Sequence, residues 1–370
     1  MEKGNGLFHK LDRFLGIPIV LTLGILRKKN KSVPVKIGRI AVLNIGSIGD
    51  NVLMSAVIQD LRSDYADAEI IAFTGSTNYQ LVKLIPGLNK VIKLPVTNGL
   101  ATVKMIREEG GFDLLFDFGP WPRLNSIYAK FVKAKYKYGF QSDKQYRHYV
   151  YDKAIIHSSQ THEIENFRSL VSDVYKGINH APQINVISTE KSDTLVKGLK
   201  KYCIIHPWPG GFKSYMKEWP DSNWVKLIEK IYDKFDHIVI TGSPADKEKS
   251  DRIIQLLESA NSNNKIINLS GGVNLQELAH LIVKSELVVS VNTGIAHMAA
   301  ALSKKQVCLH GPTNVLRWGP YDDNTISVVP DEGHFGYLNY GYEYSRAKEN
   351  CMENISVDKV YKAIEQISFI

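Results

Sequence analysis

Arg39-Ile40-Ala41-Val42-Leu43-Asn44-Ile45-Gly46-Ser47-Ile48-Gly49-Asp50 opens the regular part of this chain. Its first seven residues form a short apolar run bounded by glycine, which predicts a buried strand, and the glycine-bearing turn leads into a helical stretch over 50–64. The same alternation continues outward. EIIAF (69–73), KVIKL (90–94) and DLLFDF (113–118) read as further strands, with helices expected over 78–85, 99–109 and near 162–176. The pattern restarts with YCIIHP (202–207), HIVITG (237–242), KIINL (265–269), ELVVSV (286–291) and QVCLHG (306–311), separated by helices near 222–235, 246–260, 274–284 and 295–302. The expected fold is therefore α/β, with two Rossmann-like domains in tandem, parallel sheets covered on both faces, and ligands beyond the carboxyl ends of the strands. No internal repeat is detectable between the halves. The expected divisions are 38–180, a polar linker over 181–199, a second domain over 200–345, and a C-terminal closing segment over 346–370. Within that segment Val357, Val360, Ile364 and Ile367 share one helical face.

Composition sets limits. With 370 residues, 44% hydrophobic and 23% charged, the chain is neither disordered nor a polytopic membrane protein. Its three cysteines (Cys203, Cys308, Cys351) are too few and too scattered for a disulfide-stapled module. The net charge of +8 is concentrated in two places. Residues 1–37 and residues 123–153 each hold eight Lys/Arg against two acids. In the first patch the cations flank the apolar run Phe14 to Leu26, about 13 residues where a bilayer-spanning helix needs about 20. Residues 1–37 therefore read as a segment lying on an anionic membrane face, with an ordinary helix packed on the body as the alternative. In the second patch lysines alternate with Tyr128, Phe131, Tyr136, Tyr138, Tyr146 and Tyr149. Contact with an anionic saccharide, a plain solvated surface and single-stranded nucleic acid all suit that composition, but nothing else points to base reading.

Several chemistries fail their sequence tests. In the G-x-G-x-x-G register Asn44 stands where the first glycine belongs, and the second strand ends Ala72-Phe73-Thr74 with no acid for a ribose. There is no G-x-x-x-x-G-K-[ST] run, no H-E-x-x-H, no D-x-D and no G-x-S-x-G, so a P-loop, the common metal motifs and a serine-hydrolase elbow are not expected. What the first turn offers is the carboxylate of Asp50 at a helix N-terminus, suited to capping, to general-base work, or to both. In the second half Asn292-Thr293-Gly294 joins a strand to a helix. It is either a diphosphate cradle or a simple turn with Asn292 as cap. His297, one turn in, is a ligand contact or a core histidine. The long loop His206 to Pro220 carries Lys213 and Lys217, each able to offer a cation to a leaving phosphate. Gly311 to Pro320 and Gly242-Ser243-Pro244 form two more loops on the same edge.

The G-S-I-G-D turn, the K-x-W-P element at Lys217 to Pro220, and VSVNTGIAHMAAAL followed by GPTNVLRWGPY together resemble glycosyltransferase family 9, the bacterial heptosyltransferases of the lipopolysaccharide core. The resemblance implies the GT-B architecture, two facing Rossmann-like domains with a central cleft, an acceptor-binding N-terminal domain and a C-terminal domain for the nucleotide-sugar, commonly ADP-heptose. It implies an inverting, metal-independent glycosyltransferase working at the cytoplasmic face of the inner membrane, on an anionic glycolipid and without nucleic acid. Carried over, Asp50 is the base, Lys217 a phosphate contact with Lys213 as rival, and Thr293 and Gly294 the amides around the diphosphate. His206, Gly242, Ser243, Asn292, His297 and Thr313 complete the donor side. Gly46, Ser47, Gly49, Arg123, Lys133, Lys135 and Lys137 are expected on the acceptor side. The family commonly has D-T-G where this chain has Asn292-Thr293-Gly294, and the His206–Lys217 loop is longer. A non-catalytic sugar-nucleotide binder and a GT-B-like epimerase are the competing readings.

Overall fold

The computed structural model describes residues 12, 14–26, 30, 32–120, 122–211, 213–258, 265–341, 343 and 350–368. The basic residues Lys3, Lys10, Arg13, Arg27, Lys28, Lys29 and Lys31 lie outside them. Contacts divide the chain into two units, Met1–Gln183 and Ile184–Ile370.

In the first unit six strands form one parallel sheet: β1 (Arg39–Asn44), β2 (Glu69–Thr74), β3 (Lys90–Lys93), β4 (Gly111–Asp117), β5 (Lys133–Gln141) and β6 (Lys153–Ile156). Their order is β3-β2-β1-β4-β5-β6. β1 shows why the run at 39–45 is apolar without a break. Ile40 and Val42 enter one core cluster while Ala41 and Leu43 enter the cluster on the opposite face. A strand with both faces covered needs no polar alternate. Helices Ile48–Asp64, Gly99–Glu108, Arg123–Phe131 and Glu163–Val171 supply the cover.

The second unit repeats the plan with β7 (Tyr202–His206), β8 (His237–Ile240), β9 (Ile266–Asn268), β10 (Leu287–Val291), β11 (Gln306–Leu309) and β12 (Thr325–Val328). Their order is β12-β11-β10-β7-β8-β9, so chain order maps onto the first sheet strand for strand. The tandem repeat that sequence comparison misses is present in three dimensions. Helix Val357–Ser368 closes this unit, burying Val360, Ile364 and Ile367 against helix Asp221–Ile231 and strands β11 and β12.

Among the described residues, three strands and three helices were not read from the sequence, one of the helices being the four-residue Val315–Trp318 inside a stretch read as a loop. β5 (KAKYKYGFQ) has period-two alternation, but its charged residues look like a surface patch; Tyr136, Tyr138 and Phe140 are core residues. β6 and β12 are four residues each. Helix Arg123–Phe131 lies inside the same basic region, and helix Glu190–Gly198 forms within the stretch read as linker, started by a Thr189–Ser192 capping box.

Candidate functional site

In both sheets the strand order reverses at one point, between β1 and β4 in the first unit and between β7 and β10 in the second. Loops leaving the carboxyl ends of strands diverge there and leave a crevice, the usual ligand position in open α/β sheets. The G-S-I-G-D turn leaves β1, the His206 loop leaves β7, and Asn292-Thr293-Gly294 leaves β10. The sequence candidates with the strongest motifs thus fall at the two switch points.

The first turn is held by asparagines. Asn44 Oδ1 accepts from the Gly46 amide (3.1 Å), Asn51 Nδ2 donates to the Gly46 and Ser47 carbonyls (2.9 and 2.7 Å), and Asn78 Nδ2 donates to the Asn44 carbonyl (2.8 Å). Ser47 is the helix cap; its Oγ accepts from the Asp50 amide at 3.2 Å. Asp50 therefore sits in the first helical turn as a buried carboxylate, with the cap supplied by another residue. Gly49 is buried beside it.

Beside that turn, β4 ends in a group that sequence reasoning missed. Asp117 is fully buried and accepts from the Gly119 amide (3.0 Å), Asn125 Nδ2 (3.2 Å), Arg147 Nη2 (3.1 Å) and the Tyr151 hydroxyl (2.5 Å). Burial pushes the Asp117 carboxyl upward, while the Arg147 guanidinium and the other three donors pull the opposite way. The Tyr151 phenol is driven well above its ordinary value by burial. Arg147 is also fully buried, and its Nε and Nη1 find no hydrogen-bond partner. Only strand pairing reveals this cluster, since Asp117 pairs with Leu43 of β1, one residue before Asn44. A carboxylate ending a strand is a weak signal until the strand's neighbour is known.

The basic acceptor candidates fall at different places in the first unit. Arg123 is buried and bonds Asp12 and the carbonyls of Lys144 and Gln145, so it holds backbone and the N-terminal helix in place. Lys133 and Lys135 stand at the amino end of β5, the opposite sheet edge from the β1 turn; Lys133 pairs with Gly111, the first residue of β4. Lys135 bonds Asp113 (2.8 Å). Lys137 Nζ donates to the Ala129 and Lys130 carbonyls, both at 2.9 Å, ending the helix Arg123–Phe131. In a parallel strand, position along the strand sets the edge: Lys133 and Lys135 lie on the half away from the β1 turn, and Lys137 lies at mid-strand.

The second unit gathers its candidates more closely. Thr293 caps the helix Gly294–Ala301, its Oγ1 accepting from the Ile295 amide at 3.2 Å. Asn292 is not the cap: its Nδ2 donates to the Trp318 carbonyl (2.8 Å) and so fastens the loop after β11. A carboxylate could not make that bond, which gives a physical reason for asparagine here. His206, at the end of β7, shares a 2.9 Å hydrogen bond with Thr241 Oγ1. Burial pushes its pKa down to about 4, against the opposing charge of Asp246, so the ring is neutral near pH 7. His310, also unread in the sequence, ends β11 fully buried with its pKa pushed down to about 3 by burial and by nearby His297. His310 lies 3.5 Å from Thr313 Oγ1 and 3.3 Å from Ser327 Oγ. His297 is buried in the helix Gly294–Ala301.

The loop after β7 turns back on itself. Lys213 adopts the left-handed conformation (φ +50°) that starts the 3-10 turn Ser214–Lys217, and Lys217 Nζ donates to the Gly210 carbonyl at 3.1 Å. Gly242 is required by close approach: a Cβ there would stand 2.8 Å from Trp208 and 2.9 Å from Asp246. The amide and hydroxyl of Ser243 both donate to Asp246 Oδ2, closing a capping box. Among the described residues no group of three His, Cys, Asp or Glu gathers in a way that could hold a metal ion.

Two doubly wound units of one topology, with a carboxylate at the first switch point and a helix N-terminus at the second, define an α/β protein with a ligand crevice at each switch point. The family model for glycosyltransferase family 9 (heptosyltransferase) matches residues 125–340. The chain belongs to that family. It is 23% identical over 345 residues to the lipopolysaccharide core heptosyltransferase OpsX of Haemophilus influenzae, covering 89% of this chain and 96% of that one. Among solved structures, a glycosyltransferase family 9 protein of Veillonella parvula aligns with a TM-score of 0.76 at 18% identity, covering 92% of this chain and 99% of the other. ADP-heptose lipopolysaccharide heptosyltransferase II of Escherichia coli aligns with a TM-score of 0.72 at 17% identity, covering 90% and 98%.

Proposed function

We propose that this glycosyltransferase moves a heptose from an ADP-linked donor to an anionic acceptor of the lipopolysaccharide-core type, with inversion and without a metal, at the cytoplasmic face of an anionic membrane. The first unit takes the acceptor and the second the donor. Asp50 accepts the proton of the attacking hydroxyl as its oxygen bonds to the anomeric carbon, while the bond from that carbon to the diphosphate breaks and ADP leaves with the electron pair. The Thr293 and Gly294 amides, the helix behind them and Lys217 or Lys213 meet the charge on the departing diphosphate. His206, Gly242, Ser243, Asn292, His297 and Thr313 shape the donor pocket; His206, being neutral, orients by hydrogen bonding. Gly46, Ser47 and Gly49 shape the turn that carries Asp50.

The observation that carries this reading is Asp50 itself, held in a rigid turn at a switch point in a helix already capped by Ser47. A helix N-terminus favours the ionised form that a base requires. The test is acceptor-dependent ADP release from ADP-heptose by the wild type and by Asp50→Asn. The variant should melt at the same temperature and lose about 10² to 10⁴ in kcat. Near-normal transfer by a folded Asp50→Asn protein would remove the base assignment. A melting-temperature panel of ADP-, GDP-, UDP- and CMP-sugars tests the donor, since a ligand that binds the native state raises apparent stability.

A further inference from the structure

We propose that the helix Gly16–Ile25 is a membrane-docking element, whose outward apolar face enters an anionic bilayer surface while a neighbouring basic recess holds lipid phosphate. The inference rests on the reading of a lipid-borne acceptor and adds the surface that meets the lipid.

Among the described residues the helix is anchored on one side. Gly16 and Val20 are buried, and the helix packs on Arg123–Phe131 and on the 3-10 turn Arg147–Val150. Gly24 lies so near Tyr149 that a Cβ there would stand 2.6 Å from the Tyr149 Cβ. Before the helix, Asp12 pairs with buried Arg123 at 2.7 Å; beyond it, the Asn30 amide donates to Asp152 Oδ1 at 2.8 Å. These bonds set which side faces out. On that side stand Phe14, Leu15, Ile19, Ile25 and Leu26, exposed by 72, 56, 43, 85 and 73%. The polar residue among them, Thr22, turns its hydroxyl to the Pro18 carbonyl (2.9 Å) and so makes no demand on water. No charged residue occurs from Phe14 to Leu26. A helix that is apolar all round is ordinarily buried all round, and a contiguous exposed apolar face marks an interaction surface.

Charge selects the occupant. Between Arg13 and Lys36 the sequence contains no acid, and Arg27-Lys28-Lys29 follows the apolar run directly. Asn30 lines a recess of about 530 Å³ together with Arg107, Lys130, Lys133, Lys137 and Asp152. Lys137 and Asp152 make structural bonds there, and Arg107 and Lys133 add further positive charge to the recess. An apolar face edged by cations matches an acyl boundary beneath anionic headgroups. Lys133, remote from Asp50, thereby acquires a role.

The test is flotation of the full chain with vesicles of phosphatidylcholine alone or mixed with phosphatidylglycerol. The wild type should float with the mixed vesicles and not with phosphatidylcholine alone, less so as salt rises. Ile19→Asp and Ile25→Asp should each lower the partition about tenfold while leaving the melting temperature and ADP release with a detergent-dispersed acceptor unchanged. Arg107→Glu with Lys133→Glu should abolish the preference for phosphatidylglycerol. Equal flotation with both vesicle types, or unchanged flotation of the isoleucine variants, overturns the proposal. So does a wild type that ignores vesicles but sediments as a dimer which Ile19→Asp dissociates, because the face would then join two copies of the chain. ADP release with the dispersed acceptor reports separately on the transferase reading, so either can fail alone.

Discussion

Replacing Arg147 by methionine removes the guanidinium facing Asp117 and keeps a side chain of similar length. Asp117 loses a 3.1 Å ion pair while retaining the Tyr151 hydroxyl, Asn125 and the Gly119 amide, all in a site with no solvent exposure. Removing one partner of a buried pair leaves an uncompensated charge and costs about 3 to 5 kcal/mol. For a unit of this size that is a fall of about 6 to 20 °C in melting temperature. The pH dependence carries the sharper information. Burial already holds the Asp117 carboxyl above its ordinary value, and loss of the arginine raises it further. A carboxyl whose folded pKa exceeds its unfolded one contributes stability at pH below the unfolded value, and loses it as pH rises through the folded value. The gap between variant and wild type should therefore be widest at neutral pH and narrow on acidification towards the carboxylate range. Calorimetric melting across pH, with amide exchange on peptides covering β4 and β5, measures both quantities. Arg147→Met with Asp117→Asn should recover part of the loss. A gap that is constant with pH, or below about 1 kcal/mol, refutes the reasoning, since the pair would then be no more than packing.

Three further outcomes are expected. Asn292→Asp sets a carboxylate against the Trp318 carbonyl in place of a 2.8 Å hydrogen bond, costing about 1 to 3 kcal/mol and weakening ADP binding; calorimetric titration showing an unchanged Kd and melting temperature counts against that role. Gly139→Ala drives a methyl to within 2.3 to 2.5 Å of the Tyr151 ring and displaces the phenol from Asp117; denaturant titration should show a loss of about 1 to 3 kcal/mol. The second unit should lose stability in acid: His206 and His310 have folded pKa values pushed down to about 4 and about 3, so stability present above the ordinary histidine value falls as pH drops through those values. His310→Gln should flatten that acid limb in pH-dependent unfolding, and an unaltered limb would place its origin elsewhere.

The strands with uninterrupted apolar runs were legible because a parallel strand covered on both faces has no polar alternate, and β1, β2, β7 and β10 all show this. β5 was obscured because its lysines occupy one side of a strand whose other side is Tyr136, Tyr138 and Phe140. The turns at Gly46–Asp50 and Asn292–Gly294 were also legible, since small residues between a strand and a helix leave few other uses for that spacing.

Local pattern thus reaches as far as element type and the loops that follow each strand, because both depend on residues near one another in the chain. Which loops meet is a matter of strand order. That order placed Asp117, Arg147 and Tyr151 beside the first turn and carried Lys133 and Lys135 to the far edge. Those placements arise from pairings between residues tens of positions apart, which no window of sequence contains.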